Sequence, residues 1–228
     1  MTRILDILGA IFGLLALSPV LLPVMVVLKL TGEHDIFFRM KRVGRGGREF
    51  GMWKFATMLR NSPQMTGGTL TQKNDPRVLP FGRFLRKTKI NELPQLINIL
   101  TGEMSFVGPR PQVREHYGLY SDEVRRAIDG IRPGLTGIGS LVFRDEEDIL
   151  SDIETRGLSM SRNQFHDTVV TPYKGELERW YAGHRTLTTY VALILMTMWA
   201  VVCPRTKVYR RWFADLPAVP PELRGFIG

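Results

Sequence analysis

The sequence is poor in the residues that build disulfide frameworks and metal clusters: Cys203 is the one cysteine among 228 residues. A single thiol excludes an intrachain disulfide and a cysteine-based zinc cluster, so the chain suits a reducing compartment. The histidines are too widely spaced for a helical His-x-x-x-His pair, and we expect each to be a solvated or core residue. They are His34, His116, His166 and His184.

Acidic residues are also in short supply, with 22 Asp and Glu against 31 Lys and Arg, for a net charge of +9. This surplus predicts a phosphate-bearing partner, which leaves nucleic acid, anionic lipid or a phosphorylated small molecule. Hydrophobic residues make up 44% of the chain, so a globular protein is expected rather than wholesale disorder. The length predicts one ordinary domain with a terminal appendage.

Charge is missing altogether from residues 7–28, a run of 22 residues rich in Leu, Val and Ile. That is the length that a membrane-spanning helix needs. The run continues past Ala16 and Ser18, and Pro19 would occupy the cleavage bond of a signal peptide. We therefore expect the segment to be retained in the protein.

Ser18 and Pro19 lie in the middle of this segment and should bend a helix, because proline removes a backbone donor and clashes with the preceding turn. Two geometries compete: a kinked helix that spans the bilayer, and a re-entrant helix that turns here and leaves on the same face. Under either geometry the positive-inside rule places the following domain in the cytoplasm, since Arg3 alone precedes the segment. The basic residues that follow it are Arg39, Lys41, Arg42, Arg45 and Arg48.

Residues 37–58 predict two short strands around the turn Gly44-Arg45-Gly46-Gly47. The turn is not predicted to be a phosphate loop, because no Gly-Lys-Ser/Thr follows it. Residues 61–75 are polar and rich in Gly and Thr, which predicts a loop.

Residues 90–103 carry the start and stop signals of a helix. Asn91 is a good N-cap, Pro94 lies in the first turn, and Gly102 closes the end. Asn91 and Glu92 would then stand at the positive end of the helix, where unsatisfied N–H groups attract phosphate. The predicted apolar face consists of Leu93, Leu96, Ile97 and Leu100.

Arg110 stands in the rigid stretch Gly108-Pro109-Arg110-Pro111, which presents one guanidinium with little freedom to lose. Its planar fork suits phosphate or uracil recognition, whereas an exposed loop arginine without a ligand is the commoner interpretation of this stretch taken alone.

Residues 122–127 and 163–181 look helical and charged, and we expect only solvated faces there. The uncharged run 188–203 is short for a span, and basic and aromatic residues follow it at 205–213. This predicts a buried or interfacial helix whose basic flank meets anionic lipid.

Short motifs follow one another in a fixed order along the chain, and no one of them is decisive alone. They are Ser18-Pro19, Lys54-Phe55-Ala56-Thr57-Met58, Asn74-Asp75-Pro76-Arg77, Gly82-Arg83-Phe84-Leu85-Arg86-Lys87-Thr88, Asn91-Glu92-Leu93-Pro94-Gln95-Leu96, Met104-Ser105-Phe106-Val107-Gly108-Pro109-Arg110-Pro111 and Arg132-Pro133-Gly134-Leu135-Thr136-Gly137. In this order and spacing they are highly specific, and the chain resembles the bacterial sugar transferases known as monotopic polyprenyl-phosphate phosphoglycosyl transferases. The resemblance runs from Ile4 to about Gly139, with a weaker continuation to Val208.

The resemblance implies an α/β (α+β) fold, mostly helical, with a catalytic domain on the cytoplasmic face of the bacterial inner membrane. It also implies that the break at Ser18-Pro19 makes a re-entrant helix rather than a span. The implied segments are a re-entrant helix at 1–36, a catalytic domain at 37–187, and apolar and basic interfacial helices with a tail at 188–228. The implied partners are a UDP-sugar donor, an undecaprenyl phosphate acceptor, Mg²⁺ and anionic membrane lipid, with UMP as by-product, and a homo-oligomer is a further candidate.

Site residues are carried over from the family position by position. Glu92 matches the glutamate of an acidic dyad near the metal and the diphosphate. Basic residues that match the family would surround the phosphates and the uridine. Their positive charge would stabilise the negative charge that develops as the bond breaks. The implied catalytic residues are Glu92, Asn91, Lys54 and Arg86, the implied metal ligand is Glu92, and the implied substrate-binding residues are Arg110, Pro109, Pro111 and Lys87.

Two positions depart from the family pattern. Ala56 stands where many relatives have Arg, which removes one basic group near the phosphates. Asn91 stands where the family commonly has the aspartate that attacks the donor's β-phosphate and forms a covalent intermediate. An amide is neutral and its nitrogen lone pair is delocalised, so it is a poor replacement for that carboxylate.

Three interpretations follow. A working transferase would let the acceptor phosphate attack directly, and the retained Lys54, Arg86 and Glu92 favour it. A pseudoenzyme or partner-binding scaffold, or an Asp-to-Asn form that traps substrate, would keep the fold without the nucleophile. A nucleic-acid-binding module is disfavoured, because no nucleic-acid fold signature occurs and the charge clusters flank apolar segments.

Overall fold

The computed structural model describes residues 2–65, 75–155, 160–203 and 209–227, and over these residues it is mostly helical with two small two-stranded sheets. This matches the mostly helical α/β fold that the resemblance implied. The regular elements are α1 (Thr2–Leu30), β1 (Phe37–Val43), β2 (Glu49–Phe55), α2 (Pro80–Lys87), α3 (Gln95–Thr101), β3 (Ser105–Val107), α4 (Arg114–Gly118), α5 (Asp122–Asp129), β4 (Gly134–Thr136), α6 (Ile138–Val142), α7 (Glu146–Thr155), α8 (Arg162–Phe165), α9 (Thr171–Gly183), α10 (Leu187–Val202), α11 (Tyr209–Trp212) and α12 (Arg224–Ile227). Single 3-10 turns occur at Arg45–Gly47, Ser62–Gln64, Ile90–Glu92 and Pro221–Leu223, and His166–Val170 is π-helical.

The described chain divides into two compact units, Met1–Lys41 with Gly51–Glu103 and Arg42–Phe50 with Met104–Gly228. This division does not coincide with the predicted segments 1–36, 37–187 and 188–228, which stay a prediction. Most of the loop predicted at 61–75, Asn74 included, and residues 205–208 of the predicted basic stretch lie outside the described residues.

Helix α1 is long and apolar enough to cross a membrane, with a mean hydropathy of 2.6 over its most apolar 18 residues. The helix continues through Ser18 and Pro19, so the predicted break is not an interruption of its secondary structure. The Ser18 hydroxyl donates to the Leu15 carbonyl at 2.7 Å, which helps to satisfy the carbonyls near the proline. A re-entrant path through the bilayer stays a prediction.

Both ends of α1 pack against other parts of the first unit. Near its N-terminus, the Arg3 guanidinium donates to the carbonyls of Ile99 and Leu100 at 2.5 and 2.8 Å, at the C-terminal end of α3. Near its C-terminus, Leu28 lies in a buried cluster with Phe55 of β2. Helix α1 is therefore anchored to the first unit at both ends.

Strands β1 and β2 form the predicted hairpin around the glycine-rich turn. Gly46 and Gly47 have φ angles of 70° and 66°, a left-handed conformation that favours glycine. The glycines therefore serve the turn geometry, as predicted.

Helix α3 ends at Gly102, which has a φ of 89° as a helix-closing glycine should. Its buried face differs from the predicted one and contains Leu96, Ile99 and the polar Asn98. The Asn98 side-chain oxygen accepts the Trp53 N–H at 2.9 Å, and its amide donates to the main chain of β2 at 2.9 Å. A buried amide thus ties α3 to β2.

The second unit is built on the parallel pair β3 and β4, in which Ser105 pairs with Gly134 and Val107 with Thr136. Helix α9 packs against α5 and α6, and α10 packs against α6 and both strands. Helix α10 is the predicted apolar helix, and it buries one face and exposes the other. The buried face includes Tyr190, Leu193 and Met196, and the exposed face includes Val191, Leu195, Met198 and Trp199.

Helix α9 corrects a prediction, because it is largely buried rather than solvated. Its buried polar residues have partners inside the unit. The Lys174 ammonium lies 2.5 Å from the Glu146 carboxylate, and a Glu178 oxygen accepts the Arg110 N–H at 3.2 Å. In a single sequence, charged residues that are paired inside the core cannot be distinguished from charged residues on a solvated helix face.

Candidate active site

The sequence predicts Asn91 at the N-cap of an α-helix. In the structure it lies instead in the 3-10 turn Ile90–Glu92. Pro94 has no N–H to give to the Ile90 carbonyl, which accepts the Leu93 N–H at 3.1 Å instead. Helix α3 begins only after this proline. The turn therefore lacks the regular helix start on which the predicted attraction for phosphate rested.

The structure brings the predicted site residues Lys54 and Glu92 together. Lys54 projects from β2 and Glu92 from the 3-10 turn, and the ammonium nitrogen lies 3.2 Å from a carboxylate oxygen. Their side chains are 17% and 16% exposed. Such a pair attracts more strongly than one at the surface, yet it keeps an edge that a ligand can reach.

The Asn91 side chain is buried, with the residue only 6% exposed. Among the described residues, its side-chain oxygen has no hydrogen-bond partner. A carboxylate here would carry charge into the same surroundings, which costs several kcal/mol unless a cation or donors meet it. The neutral amide is therefore the less costly occupant of this position.

The Asn91 and Glu92 oxygens lie on one turn and are the ligand type that Mg²⁺ prefers. An unpartnered buried oxygen also calls for a donor or a cation. By ligand type these residues fit the Mg²⁺ ion that the resemblance implied, and Glu92 would be the carboxylate that holds it.

Arg86 and Lys87 end helix α2, which packs against the 3-10 turn. The Arg86 guanidinium is half-buried and lies 3.8 Å from the Met58 sulfur, whereas Lys87 is exposed. Helix α2 can come this close to the chain after β2 because residue 82 is glycine. A Cβ atom on Gly82 would lie 2.3 Å from the Thr57 carbonyl oxygen.

Two residues of the Asn74-Asp75-Pro76-Arg77 motif have a structural role. Asp75 and Arg77 are buried and form a two-pronged ion pair, with one Arg77 nitrogen 2.9 Å and another 2.7 Å from the two carboxylate oxygens. The backbone N–H of Arg77 also donates to Asp75 at 3.0 Å. This pair fixes the chain that enters α2.

The predicted substrate-binding stretch follows β3 in the second unit and is held by its backbone. The Gly108 N–H donates to the Thr136 carbonyl at 3.0 Å, and the Pro109 carbonyl accepts the Gly134 N–H at 2.9 Å. Pro109 and Pro111 are buried, while Arg110 between them is half-buried. The two prolines and these hydrogen bonds fix the backbone that carries the guanidinium.

A sequence profile described as "Bacterial sugar transferase" matches residues 1–204. The chain belongs to the bacterial sugar transferase family. This confirms the resemblance drawn from the motifs.

Relatives of this chain are named for different sugars. The "UDP-glucose:undecaprenyl-phosphate glucose-1-phosphate transferase" of Escherichia coli K12 is 39% identical over 160 residues, which cover 66% of this chain and 33% of the relative. A "UDP-N-acetylgalactosamine-undecaprenyl-phosphate N-acetylgalactosaminephosphotransferase" of Aeromonas hydrophila is 38% identical over 61% of this chain and 33% of its own length. The "Exopolysaccharide production protein ExoY" of Sinorhizobium fredii is 38% identical over 63% of this chain and 70% of its own. The match thus spans about a third of the length of the first two relatives.

Glu178 contacts the backbone of the predicted site residue Arg110, and the sequence did not reveal this contact. Glu178 is fully buried, and one oxygen accepts the backbone N–H of Arg110, while the other has no partner among the described residues. Burial raises the pKa of Glu178 to about 7, against the lowering effects of the Arg110 N–H and of Lys174. Leu177 and Tyr181 are buried and four residues apart, which is the spacing of a core-facing helix face. This spacing was the sequence signal that the helix beside Glu178 is buried.

Two cavities in the second unit differ in whether predicted site residues line them. A small one of about 20 Å³ is lined by Pro109, Arg110 and Pro111, and it has room for about one water molecule. A larger one of about 480 Å³ is lined by residues of α5, α9 and the C-terminal stretch, such as Val124, Tyr173 and Pro217. None of the predicted site residues lines the larger cavity.

Proposed function

We propose that this chain transfers a sugar-1-phosphate from a UDP-sugar to undecaprenyl phosphate and releases UMP. The observation that carries the proposal is the Lys54–Glu92 pair at 3.2 Å, beside the buried Asn91, in a chain of the bacterial sugar transferase family. The E. coli and Aeromonas relatives are named for this reaction with glucose and N-acetylgalactosamine donors, which supports the substrate class and leaves the sugar open.

The basic residues are assigned by what a diphosphate needs. Lys54 and Arg86 would neutralise the phosphate charge that develops on UMP as it leaves, since preorganised cations act strongly in a partly buried site. Exposed Lys87 would guide the anionic donor inward. Arg110, fixed by Pro109 and Pro111, would pair its planar guanidinium with a phosphate or the uracil.

Mg²⁺ would be held by Glu92 and would supply charge neutralisation at the diphosphate. The Lys54 ammonium lies 3.2 Å from that carboxylate, so Lys54 would bind the anionic diphosphate beside the ion, whereas the carboxylate alone would repel it. This arrangement orients the donor's β-phosphorus toward the acceptor without requiring a protein nucleophile.

The absence of an aspartate at position 91 favours direct transfer. An oxygen of the acceptor phosphate attacks the β-phosphorus, the bond to the UMP oxygen breaks, and UMP leaves with the electron pair. Asn91 would donate a hydrogen bond from its side-chain NH2 group to a phosphate oxygen rather than attack covalently. Both substrates would then have to be bound together.

Helices α1 and α10 support the proposed membrane placement. Helix α1 exposes apolar residues such as Phe12, Leu15 and Leu30, and both of its ends pack against the same unit. A straight span would carry those ends to opposite faces of the bilayer, so this packing supports a re-entrant helix. With the basic flank after α1, the proposal places the catalytic residues at the cytoplasmic face of the inner membrane, with α10 resting on anionic lipid.

The test is to incubate the detergent-purified chain with Mg²⁺, undecaprenyl phosphate and a panel of UDP-sugars, and to measure UMP. Release with at least one donor is expected. The second candidate is a catalytically impaired scaffold, because the amide of Asn91 is a poor nucleophile. It would bind a UDP-sugar but release no UMP with any donor.

A further inference from the structure

His116 and His166 lie 50 positions apart in the chain but meet in the second unit. Their ring centroids are 4.5 Å apart, with 49° between the ring planes. His116 belongs to α4, and His166 begins the π-helical turn before α9, where it is only 3% exposed. Asp167 follows directly, and its side chain reaches solvent with 42% exposure.

These three residues present a compact set of ligand atoms. One nitrogen of each imidazole and one Asp167 carboxylate oxygen all lie within 4.8 Å of one another. The Nδ1 atom of His166 lies 2.9 Å from an Asp167 oxygen. Two atoms at that distance can bind one small cation at ordinary metal–ligand distances of about 2.0–2.2 Å.

The surroundings of His166 resemble the support that metal-binding histidines usually have. Its second nitrogen, Nε2, lies 3.4 Å from an oxygen of Glu146, which is held in turn by Lys174 at 2.5 Å. With Nδ1 on a metal, Nε2–H would donate to that carboxylate and fix the ring orientation. The Thr171 hydroxyl, 3.4 Å from Nδ1, borders the same place.

We infer that His116, His166 and Asp167 form a binding site for a Zn²⁺ ion, with water in the remaining position. Two imidazoles and one carboxylate suit Zn²⁺, whereas Mg²⁺ prefers oxygen ligands alone. The ion would tie the short helix α4 to the turn before α9. Because these ligands are separate from Glu92 and its turn, the inference does not depend on the proposed transferase activity.

The pKa of His116 is lowered mainly by burial, and the charges of Arg42 and Lys174 lower it further. Lys174 is paired with Glu146, so much of its charge is already balanced. The alternative without a metal is an imidazole of His166 held between Asp167 and Glu146, with His116 packed against it.

The test uses the full chain in detergent, stripped with a chelator and titrated with Zn²⁺ in the presence of excess Mg²⁺. Calorimetry gives the affinity and stoichiometry, and visible absorption of the Co²⁺ form reports the ligand set. His116→Gln and Asp167→Asn are the test variants, because their side chains are only partly buried. His184→Gln is the matched control, since His184 lies 2.9 Å from Asp215 and outside the cluster.

We expect one Zn²⁺ per chain, a rise of the unfolding temperature with Zn²⁺, and a loss of affinity of at least about tenfold in both test variants. The control should bind as the parent does. Circular dichroism of the metal-free variants checks that they are folded. The inference is overturned if the parent binds no Zn²⁺, or if folded His116→Gln binds it with unchanged affinity and an unchanged Co²⁺ spectrum.

Discussion

The Lys54 ammonium lies 3.2 Å from the Glu92 carboxylate, with both side chains largely shielded from water. In the same unit, Arg60 and Asp35 form a pair of 2.8 Å whose side chains are 69% and 42% exposed. These two ion pairs differ mainly in their access to solvent, and they offer a matched comparison.

We predict that a double-mutant cycle with Lys54→Met and Glu92→Gln gives a coupling of about 1–2 kcal/mol in the free energy of unfolding. The same cycle with Arg60→Met and Asp35→Asn should give less than about 1 kcal/mol, because water screens the exposed pair. Denaturant unfolding in detergent measures both. Equal couplings would show that Lys54 and Glu92 do not form the shielded pair described above.

Arg110→Ala is expected to lower kcat/KM for the UDP-sugar by about tenfold to hundredfold, because a charge-assisted pair with the donor is lost. Binding of the protein to membranes should not change. Arg114→Ala is the control, since Arg114 pairs with Glu49 at the surface of the same unit. If both variants keep full turnover, Arg110 is an ordinary loop residue.

Glu178→Gln should change the pH dependence of stability. The raised pKa means that the folded protein holds a proton on Glu178 that the unfolded chain has released, so stability falls as pH rises from about 4.5 to about 7. The loss amounts to about 3 kcal/mol and is complete above about pH 7. Glutamine has no such proton and keeps an acceptor for Arg110.

Thermal unfolding of parent and Glu178→Gln at pH 5 and pH 8 measures this difference. The variant should gain stability relative to the parent at pH 8. Parallel behaviour at the two pH values would contradict the buried, protonated state of Glu178.

Both ends of α1 are expected on the cytoplasmic side. In a Cys203→Ser background, a cysteine at Thr2 should resist an impermeant maleimide in spheroplasts and react after permeabilisation. A cysteine at the exposed Asn163 provides the cytoplasmic reference. Labelling of position 2 from outside, with position 163 protected, would contradict the re-entrant helix and show that α1 spans the membrane.

Local signals in the sequence predicted the elements that short-range chemistry determines. The Gly46 and Gly47 turn and the Gly102 helix end required positive φ, and both were found. The start of α3 was placed wrongly at Asn91, because the missing N–H of Pro94 favours a 3-10 turn before it.

Long-range pairing accounts for what the sequence could not reveal. Lys174 and Glu178 belong to the core because Glu146 and the Arg110 backbone meet them, and these partners lie 28 and 68 positions away. A single sequence carries no record of such pairings. The same holds for the contact between His116 and His166.

Asn91→Asp compares the two mechanisms in one protein. The carboxylate would enter a position where the present oxygen is buried and unpartnered, so we expect lower stability without ligands than in the parent. If the phosphate site is intact, the variant should form a sugar-phosphate adduct in the presence of donor. A variant that binds donor but neither forms an adduct nor turns over would show that more than the nucleophile is missing.

Acceptor dependence of UMP release tests direct transfer most directly. The purified chain is mixed with Mg²⁺ and an accepted UDP-sugar, with and without undecaprenyl phosphate, and both UMP and the intact protein mass are measured. We predict UMP only when undecaprenyl phosphate is present, and no added sugar-phosphate mass on the protein. A burst of UMP without acceptor, together with an adduct on Glu92, would contradict direct transfer and make Glu92 the nucleophile.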